Sequence, residues 1–421
     1  MSSAKRAVSG NVMSQLTSDR LVLLTIIVGA LGYFVDVFDL LLFSIVRVQS
    51  LKDIHVPETG LLDAGVTIIS WQMGGLLLGG LLWGVLGDRF GRLSVLFGSI
   101  LLYSVANIAN AYVETVHQYA ALRFITGLGL AGELGVGVTL ASELLPKALR
   151  GLGTTFISTV GVLGAAAAAT ITHYADWHTA YIVGGIMGLV LLALRVNVRE
   201  SGLYKKVAEE KTKVSRGNLF MLLTRWDLLR RYLAIICIGA PIWGVIGLFI
   251  MFTPEFAKDF GLTIQPTAMD AVLYCYLGTT LGSFFSGTLS QYLKSRRKSI
   301  AVSLTMLIAF LALFFILKPA TLLGYYTLCG LLGVGAGYWA MFVQVGAEQF
   351  GTNIRATAAT SVPNVVRGLT IPMTIAFRAL IPVWGVEGSG LAVIAVVFVL
   401  AFIGLAAVKE TFHADLDYIE V

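Results

Sequence analysis

The chain has 421 residues, of which 57% are hydrophobic and only 13% charged, with a mean hydropathy of +0.83. A soluble domain carries about a quarter charged residues, and a chain this apolar would expose far too much hydrophobic surface in water. The composition therefore excludes an ordinary water-soluble protein, while the net charge of +6 acquires meaning only from where the charges lie.

A bilayer core takes about 20 mostly apolar residues per helix, and twelve such stretches are predicted. The polar start, 1–20, has no small-residue cleavage site before a short apolar core, so the first stretch is expected to span rather than to be removed as a signal. The first half places helices at 21–46, 64–86, 93–113, 118–142, 152–174 and 178–196. The second places them at 231–253, 271–290, 299–317, 321–345, 357–380 and 387–408. Between them, 197–230 is the longest polar segment. This divides the chain into a bundle over 1–196, a linker over 197–230 and a bundle over 231–421.

Lys and Arg fall unevenly on the two sides. One side carries Lys5, Arg6, Arg20, Arg89, Arg92, Lys147, Arg150, the basic residues from Arg195 to Arg231, Lys294, Arg296, Arg297, Lys298, Arg355 and Lys409. The other carries only Arg47, Lys52, Lys258 and Lys318. By the positive-inside rule both termini and the linker are expected in the cytoplasm. That placement makes membrane topology, rather than nucleic acid, the reason for the positive charge.

The halves repeat. Glu143 precedes Arg150 by seven residues after the fourth helix, and Glu348 precedes Arg355 by seven after the tenth. The second helix ends in Gly84-Val-Leu-Gly-Asp88-Arg89-Phe-Gly91-Arg92, and the eighth in a worn counterpart from Gly287 through Lys294 to Lys298. The sixth ends in Arg199-Glu200-Ser201 and the twelfth in Lys409-Glu410-Thr411. Two parallel six-helix units with a site between them is a transporter layout.

Within the spans, ionisable residues are the candidates for function, since a charge in lipid is costly. Asp36 and Asp39, three apart in the first helix, share a face. Arg123 and Glu133 lie in the fourth helix. Arg367 lies about ten residues into the eleventh, near Asn364, which puts it roughly 15 Å deep. It is expected either to fork onto a substrate carboxylate or to pair with Glu133 or an aspartate of the other half. Gln72, Trp243, Tyr274, Tyr338 and Gln344 are candidate cavity-lining residues. The helix-two glycines Gly74, Gly75, Gly79, Gly80 and Gly84 read as a packing face.

The loop Gly84-x-x-x-Asp88-Arg89-x-Gly91-Arg92 resembles the signature loop of the major facilitator superfamily, and the charge motifs at Glu143, Arg150, Glu200, Glu348, Arg355 and Glu410 are similar to the cytoplasmic network of its sugar-porter and metabolite–proton symporter branches. The resemblance covers the whole chain. It implies the all-α major facilitator fold, an inner gate made by those motifs, and proton coupling at Asp39 with Arg123, with Asp36 as an additional carboxylate like that of aromatic-acid–proton symporters. A permanent structural pair is the alternative for Asp39 and Arg123. The paired glutamines of sugar porters are missing from the seventh helix, and the glycine-proline motif of drug antiporters from the fifth. The first disfavours a sugar and the second favours symport over drug efflux; with Arg367 as a candidate anion clamp, the expectation is proton-coupled symport of a small organic anion, a monocarboxylate or aromatic acid. An exporter or a carrier of neutral or zwitterionic metabolites is the alternative, and a transporter-like sensor is least favoured.

No enzyme chemistry is legible. His55, His117, His173, His178 and His413 have no metal-ligand spacing, Cys237, Cys275 and Cys329 sit in apolar stretches as packing residues, and no phosphate-binding loop occurs. The expectation is a monomer in the bacterial inner membrane that handles a small molecule and protons without a cofactor. The topology is testable: cysteines placed at Ser2, Ser215 and Asp417 should react with a membrane-impermeant maleimide only from the cytoplasmic side. Labelling of Ser215→Cys in intact cells would overturn the twelve-span arrangement.

Overall fold

The computed structural model describes residues 20–90, 92–144, 150–195, 219–263, 265–351, 353–412 and 420. The first half comprises α1 (Arg20–Asp53), α2 (Leu61–Phe90), α3 (Arg92–Asn110), α4 (Val116–Leu144), α5 (Arg150–Tyr174) and α6 (Trp177–Arg195). The second opens with α7 (Trp226–Gly244), which runs on through a π-helical turn, Val245–Ile250. Next come α8 (Ala268–Leu293), α9 (Arg296–Leu317) and α10, which is made of Leu322–Ala336 and Trp339–Glu348. α11 begins as Arg355–Gly368. The following helix, Thr370–Ala407, breaks at Gly385, where φ is 68°. The part before this break extends α11 and the part after it is α12, and a left-handed break of this kind suits glycine.

Every expected span falls on one of these helices. Among the described residues, seven helical stretches, the last covering both α11 and α12, are long and apolar enough to cross a membrane by themselves. The described part of α3, Val95–Asn110, is apolar but shorter. Several ends differ from expectation. α1 runs to Asp53, beyond the expected 46, and α7 starts at Trp226 within the expected linker, preceded by the short helix Leu219–Thr224. Hydroxyl caps set the starts of three helices: Thr267, Ser295 and Thr321 accept the backbone N–H of Asp270, Lys298 and Gly324. Such caps satisfy donors that the first turn otherwise leaves open.

The packing repeats between the halves. α2 packs on α4 as α8 packs on α10, and α1 on α5 as α7 on α11. Across the seam, α2 meets α11 and, in the pseudo-symmetric counterpart, α8 meets α5. The α2–α4 contact is close because Gly75 faces the Phe124 carbonyl and Gly127 faces the Gln72 carbonyl. The α8–α10 contact uses Gly278 against the Gly330 carbonyl and Gly333 against that of Cys275. A side chain at any of these positions would collide with backbone that cannot move independently of its helix. Gly74 and Gly79 also face α4, Gly79 against the Leu128 carbonyl, whereas two helix-two glycines serve the seam: an ideal Cβ at Gly80 would lie 2.6 Å from Cβ of Asn364, and one at Gly84 3.3 Å from Cα of Thr357.

Packing this tight is destabilised by added volume, with overpacking costing about 1–3 kcal/mol and more where backbone blocks the way. Gly127→Leu and Gly333→Leu should each lower the melting temperature and the monodisperse yield in detergent far more than Gly→Leu at the exposed Gly98, where an added Cβ meets only the rim of Trp83 at 3.5 Å. Equal yields of the three proteins would show that the small-residue contacts are dispensable.

Candidate functional site

The first candidate residues lie on one stripe of α1. Asp36 is fully buried and faces the second half, where Arg367 Nη2 approaches its Oδ2 to 3.2 Å. The same arginine donates through Nη1 to Asn364 Oδ1 at 3.3 Å. Asn364 in turn donates to the Ala131 carbonyl of α4 at 2.9 Å and to Thr360 of its own helix at 2.8 Å. Arg367 and Asn364 therefore tie α11 to both α1 and α4. Asp36 Oδ1 and Arg367 Nε have no hydrogen-bond partner among the described residues.

Two tryptophans flank the cation. The Arg367 guanidinium carbon lies 5.8 Å from the ring centre of Trp243 and 5.6 Å from that of Trp339, within the cation–π range. Trp339 donates its indole N–H to the Tyr33 hydroxyl at 2.8 Å, a further bond across the halves. The local backbone explains how these groups converge. Trp243 stands between Pro241 and the π-helical turn of α7, Trp339 opens the second segment of α10, and Arg367 precedes the turn at Leu369 in α11. Irregular turns of this kind are often found at functional sites in helical membrane proteins.

Asp39 occupies a second buried pocket inside the first half. Arg123 does not reach its carboxylate; its Nη2 donates to the Asp39 backbone carbonyl at 2.7 Å. Arg123 also donates to Asn107 Oδ1 at 3.1 Å and to Gln72 Oε1 at 3.3 Å, and it sits 5.5 Å from the Tyr181 ring centre. Gln72 is oriented by its own bond to the Leu40 carbonyl, 2.8 Å. Both Asp39 carboxylate oxygens are buried without a hydrogen-bond partner among the described residues. Gly184 of α6 closes the pocket, since a Cβ there would run into Asp39 Oδ1.

Glu133 is not beside Arg367. It forms a buried ion pair with Arg195, whose Nη1 lies 3.1 Å from Glu133 Oε2 and whose Nη2 also meets Oε1. This corrects two expectations: Arg195 is the last residue of α6, buried against α4 rather than part of an exposed basic cluster, and Glu133 is neutralised within its own half. Gly32 of α1 leaves room for the pair. Three expected cavity-lining residues also lie elsewhere. Tyr274 stacks on Tyr326 with ring centres 5.3 Å apart, Tyr338 donates to the Ile238 carbonyl at 2.8 Å, and Gln344 donates to Glu348 one turn along at 2.8 Å. All three bonds or stacks belong to the second half alone. Sequence reasoning had no way to separate these from Trp243, because facing direction within a span is set by neighbouring helices.

On the linker side, Glu348 lies 3.6 Å from Arg296, and Arg355 donates through Nε to the Phe350 carbonyl at 3.2 Å. Glu410 caps α9, accepting the Ser295 hydroxyl and the backbone N–H groups of Arg296 and Arg297. Partial burial pushes its carboxyl up, but bonds from Ser295, Arg296, Phe412 and Arg297 outweigh this and hold it below the usual range. The side chains of Asp88, Arg89, Arg92, Glu143 and Arg150, with Gly91 and Glu200, lie outside the described residues. The functional groups that sequence reasoning missed are Tyr33, Asn107, Arg195 and Trp339. Asn107 alone carried a signal, as a polar residue in mid-span.

Comparison with known proteins follows the same line. A family model described as Major Facilitator Superfamily matches residues 29–373. A putative metabolite transport protein of Haemophilus influenzae is 26% identical over 357 residues, covering 81% of this chain and 84% of that one. The niacin transporter NiaP of Acinetobacter baylyi is 33% identical over 180 residues, 41% of this chain and 40% of its own. The 4-hydroxybenzoate transporter PcaK of Pseudomonas putida is 36% identical over 158 residues, 36% of this chain and 35% of its own. Among solved structures, the proton:xylose symporter XylE bound to 6-bromo-6-deoxy-D-glucose superposes with a TM-score of 0.70 at 18% identity, covering 94% of this chain and 98% of that one.

The Asp36–Arg367 contact can be tested without a ligand. Removing one member of a buried pair costs about 3–5 kcal/mol, whereas removing both is often neutral. Arg367→Gln should lower the melting temperature of the purified protein, and Asp36→Asn/Arg367→Gln should recover most of the loss. An Arg367→Gln protein that melts like the parent would show that the pair adds nothing to stability.

Proposed function

The chain belongs to the Major Facilitator Superfamily and is an integral membrane transporter, not an enzyme; on that premise we propose that it is a proton-coupled symporter of a small organic anion, with an aromatic monocarboxylate as the preferred class. In this reading it works as a monomer in the bacterial inner membrane, with the linker side in the cytoplasm. The division into bundles over 1–196 and 231–421 then provides the two bodies that rock about the central site.

The observation that carries the reading is the Asp36–Arg367 pair, fully buried between the halves and flanked by Trp243 and Trp339. A guanidinium at this depth needs a counter-charge. In the closed, empty state Asp36 supplies it. When the substrate carboxylate displaces Asp36, Arg367 forks onto the anion, and the proton that balances its charge is carried chiefly at Asp39. The two indole faces beside the cation offer a slot for a planar ring, as the chemistry of niacin and 4-hydroxybenzoate, carried by similar proteins, would require.

Asp39 is the second and principal proton site. Its carboxylate is isolated from water and from direct hydrogen bonds, while Arg123 lies close enough to bind its backbone carbonyl. A small rearrangement of α1 or α6 would change what the carboxylate faces, and with it the ease of protonation. Gln72 and Asn107 are positioning residues that hold Arg123. The linker-side charges, Glu348, Arg355 and Glu410 with their first-half counterparts, then act as the inner gate.

Asp39→Asn should abolish accumulation of an aromatic carboxylate driven by a pH gradient in proteoliposomes while leaving counterflow exchange at least partly intact, because exchange needs no net proton movement. Asp36→Asn should have the smaller effect on accumulation. Arg367→Lys, which keeps the charge but loses the fork, should weaken carboxylate affinity by about tenfold or more. Normal accumulation by Asp39→Asn would remove this residue from the proton pathway.

A further inference from the structure

The far end of α1 carries a second buried arginine that neither the transport cycle nor the gate described above uses. Arg47 stands 11 residues after Asp36, about 16 Å along the helix and only about 20° around it. The same stripe of α1 therefore meets the second half at two depths. Arg47 is fully buried although it lies on the side with few basic residues. Its Nη2 contacts Glu255 of the short helix Thr253–Asp259, at 2.9 Å from Oε1 and 3.1 Å from Oε2, and lies 3.5 Å from the Met251 carbonyl. The guanidinium carbon is 4.9 Å from the Phe252 ring centre.

This pairing leaves the cation half used. Both Glu255 oxygens crowd onto one nitrogen, while Nε and Nη1 are buried with no partner among the described residues. A guanidinium has five donors arranged to take a carboxylate through two nitrogens. Buried donors without acceptors are costly, so packing alone does not account for the arrangement. Gly65 of α2 makes room for the arginine side chain itself, since a Cβ there would lie 2.7 Å from Arg47 Cδ and 3.0 Å from Nη1. Glu255, in contrast, keeps a fifth of its side chain exposed and can turn to water.

We propose that Arg47 is an entry site for the carboxylate of the transported anion on the extracellular side, with Glu255 as the built-in competitor that occupies it when the halves close there. The proposal rests on the reading of the substrate as an organic anion and adds a second binding position to it. Each buried arginine on the seam then has one protein carboxylate from the opposite half: Glu255 for Arg47 and Asp36 for Arg367. As the outer side opens, Glu255 leaves with the second half and Arg47 stays on α1 with its donors facing the mouth. An incoming carboxylate takes the vacated fork, and α1 leads it along one face to Arg367.

The test uses the purified full chain, sodium benzoate as the probe and benzamide as the neutral control, with binding read by calorimetry. In an Asp36→Asn/Arg367→Gln background, which lacks the central pair, adding Glu255→Gln should tighten benzoate binding about tenfold, with no change for benzamide. Adding Arg47→Gln to that protein should abolish the gain. The Arg47→Gln/Glu255→Gln combination removes both charges of the outer pair and should keep the melting temperature of its parent, which guards against simple misfolding. No gain from Glu255→Gln, or a gain that survives Arg47→Gln, overturns the entry site. The central reading is judged separately, by benzoate binding of the parent protein that disappears with Asp36→Asn/Arg367→Gln. Loss of one component leaves the other measurable.

Discussion

A charge buried between the two halves is the constraint around which this molecule is arranged. Arg367 cannot be left alone at that depth, because the desolvation of a guanidinium is only offset by a counter-charge or by water. Asp36 meets the requirement from the other half, and Asn364 and the two tryptophans occupy the remaining faces of the cation. The halves are thereby held in register at one point. Any event that neutralises Asp36 or offers Arg367 another anion weakens that hold, and in the proposed cycle binding chemistry and domain motion share these atoms.

The two halves contribute differently to this point. Around Arg367 the second half departs from regular helix at the π-helical turn of α7, between the segments of α10, and at Leu369 in α11. The first half presents unbroken helices there, with α1 continuous from Arg20 to Asp53. Its polar residues are largely satisfied within the half: Arg123 by Gln72, Asn107 and the Asp39 carbonyl, and Glu133 by Arg195. Asp39 is the buried acid there whose two carboxylate oxygens both lack a partner among the described residues. In the proposed cycle, a proton at this acid alters contacts across the seam, and the irregular turns of the second half accommodate the change.

Close glycine packing serves the same end. α2 against α4 and α8 against α10 are locked by backbone-to-backbone approach, which ties helices together within each half. The seam itself, α2 with α11 and α5 with α8, is where small residues meet polar side chains. α1 reaches across it at Tyr33, Asp36 and Arg47.

Much of this architecture was legible in the sequence. The twelve apolar stretches follow from the cost of exposing polar groups to lipid, which acts on each segment independently of its neighbours. Asp36, Asp39, Arg123, Glu133 and Arg367 stood out for the same reason. What they pair with did not. Arg195 and Arg47 read as loop charges because helix ends are set by packing rather than by hydropathy, and Tyr274, Tyr338 and Gln344 were indistinguishable from Trp243 because each helix can turn any face inward. A charge in a membrane announces itself along the chain, since lipid penalises it wherever it sits. Its partner is chosen in three dimensions, by which helix, tens to hundreds of residues away, brings an opposite charge to within about 3 Å.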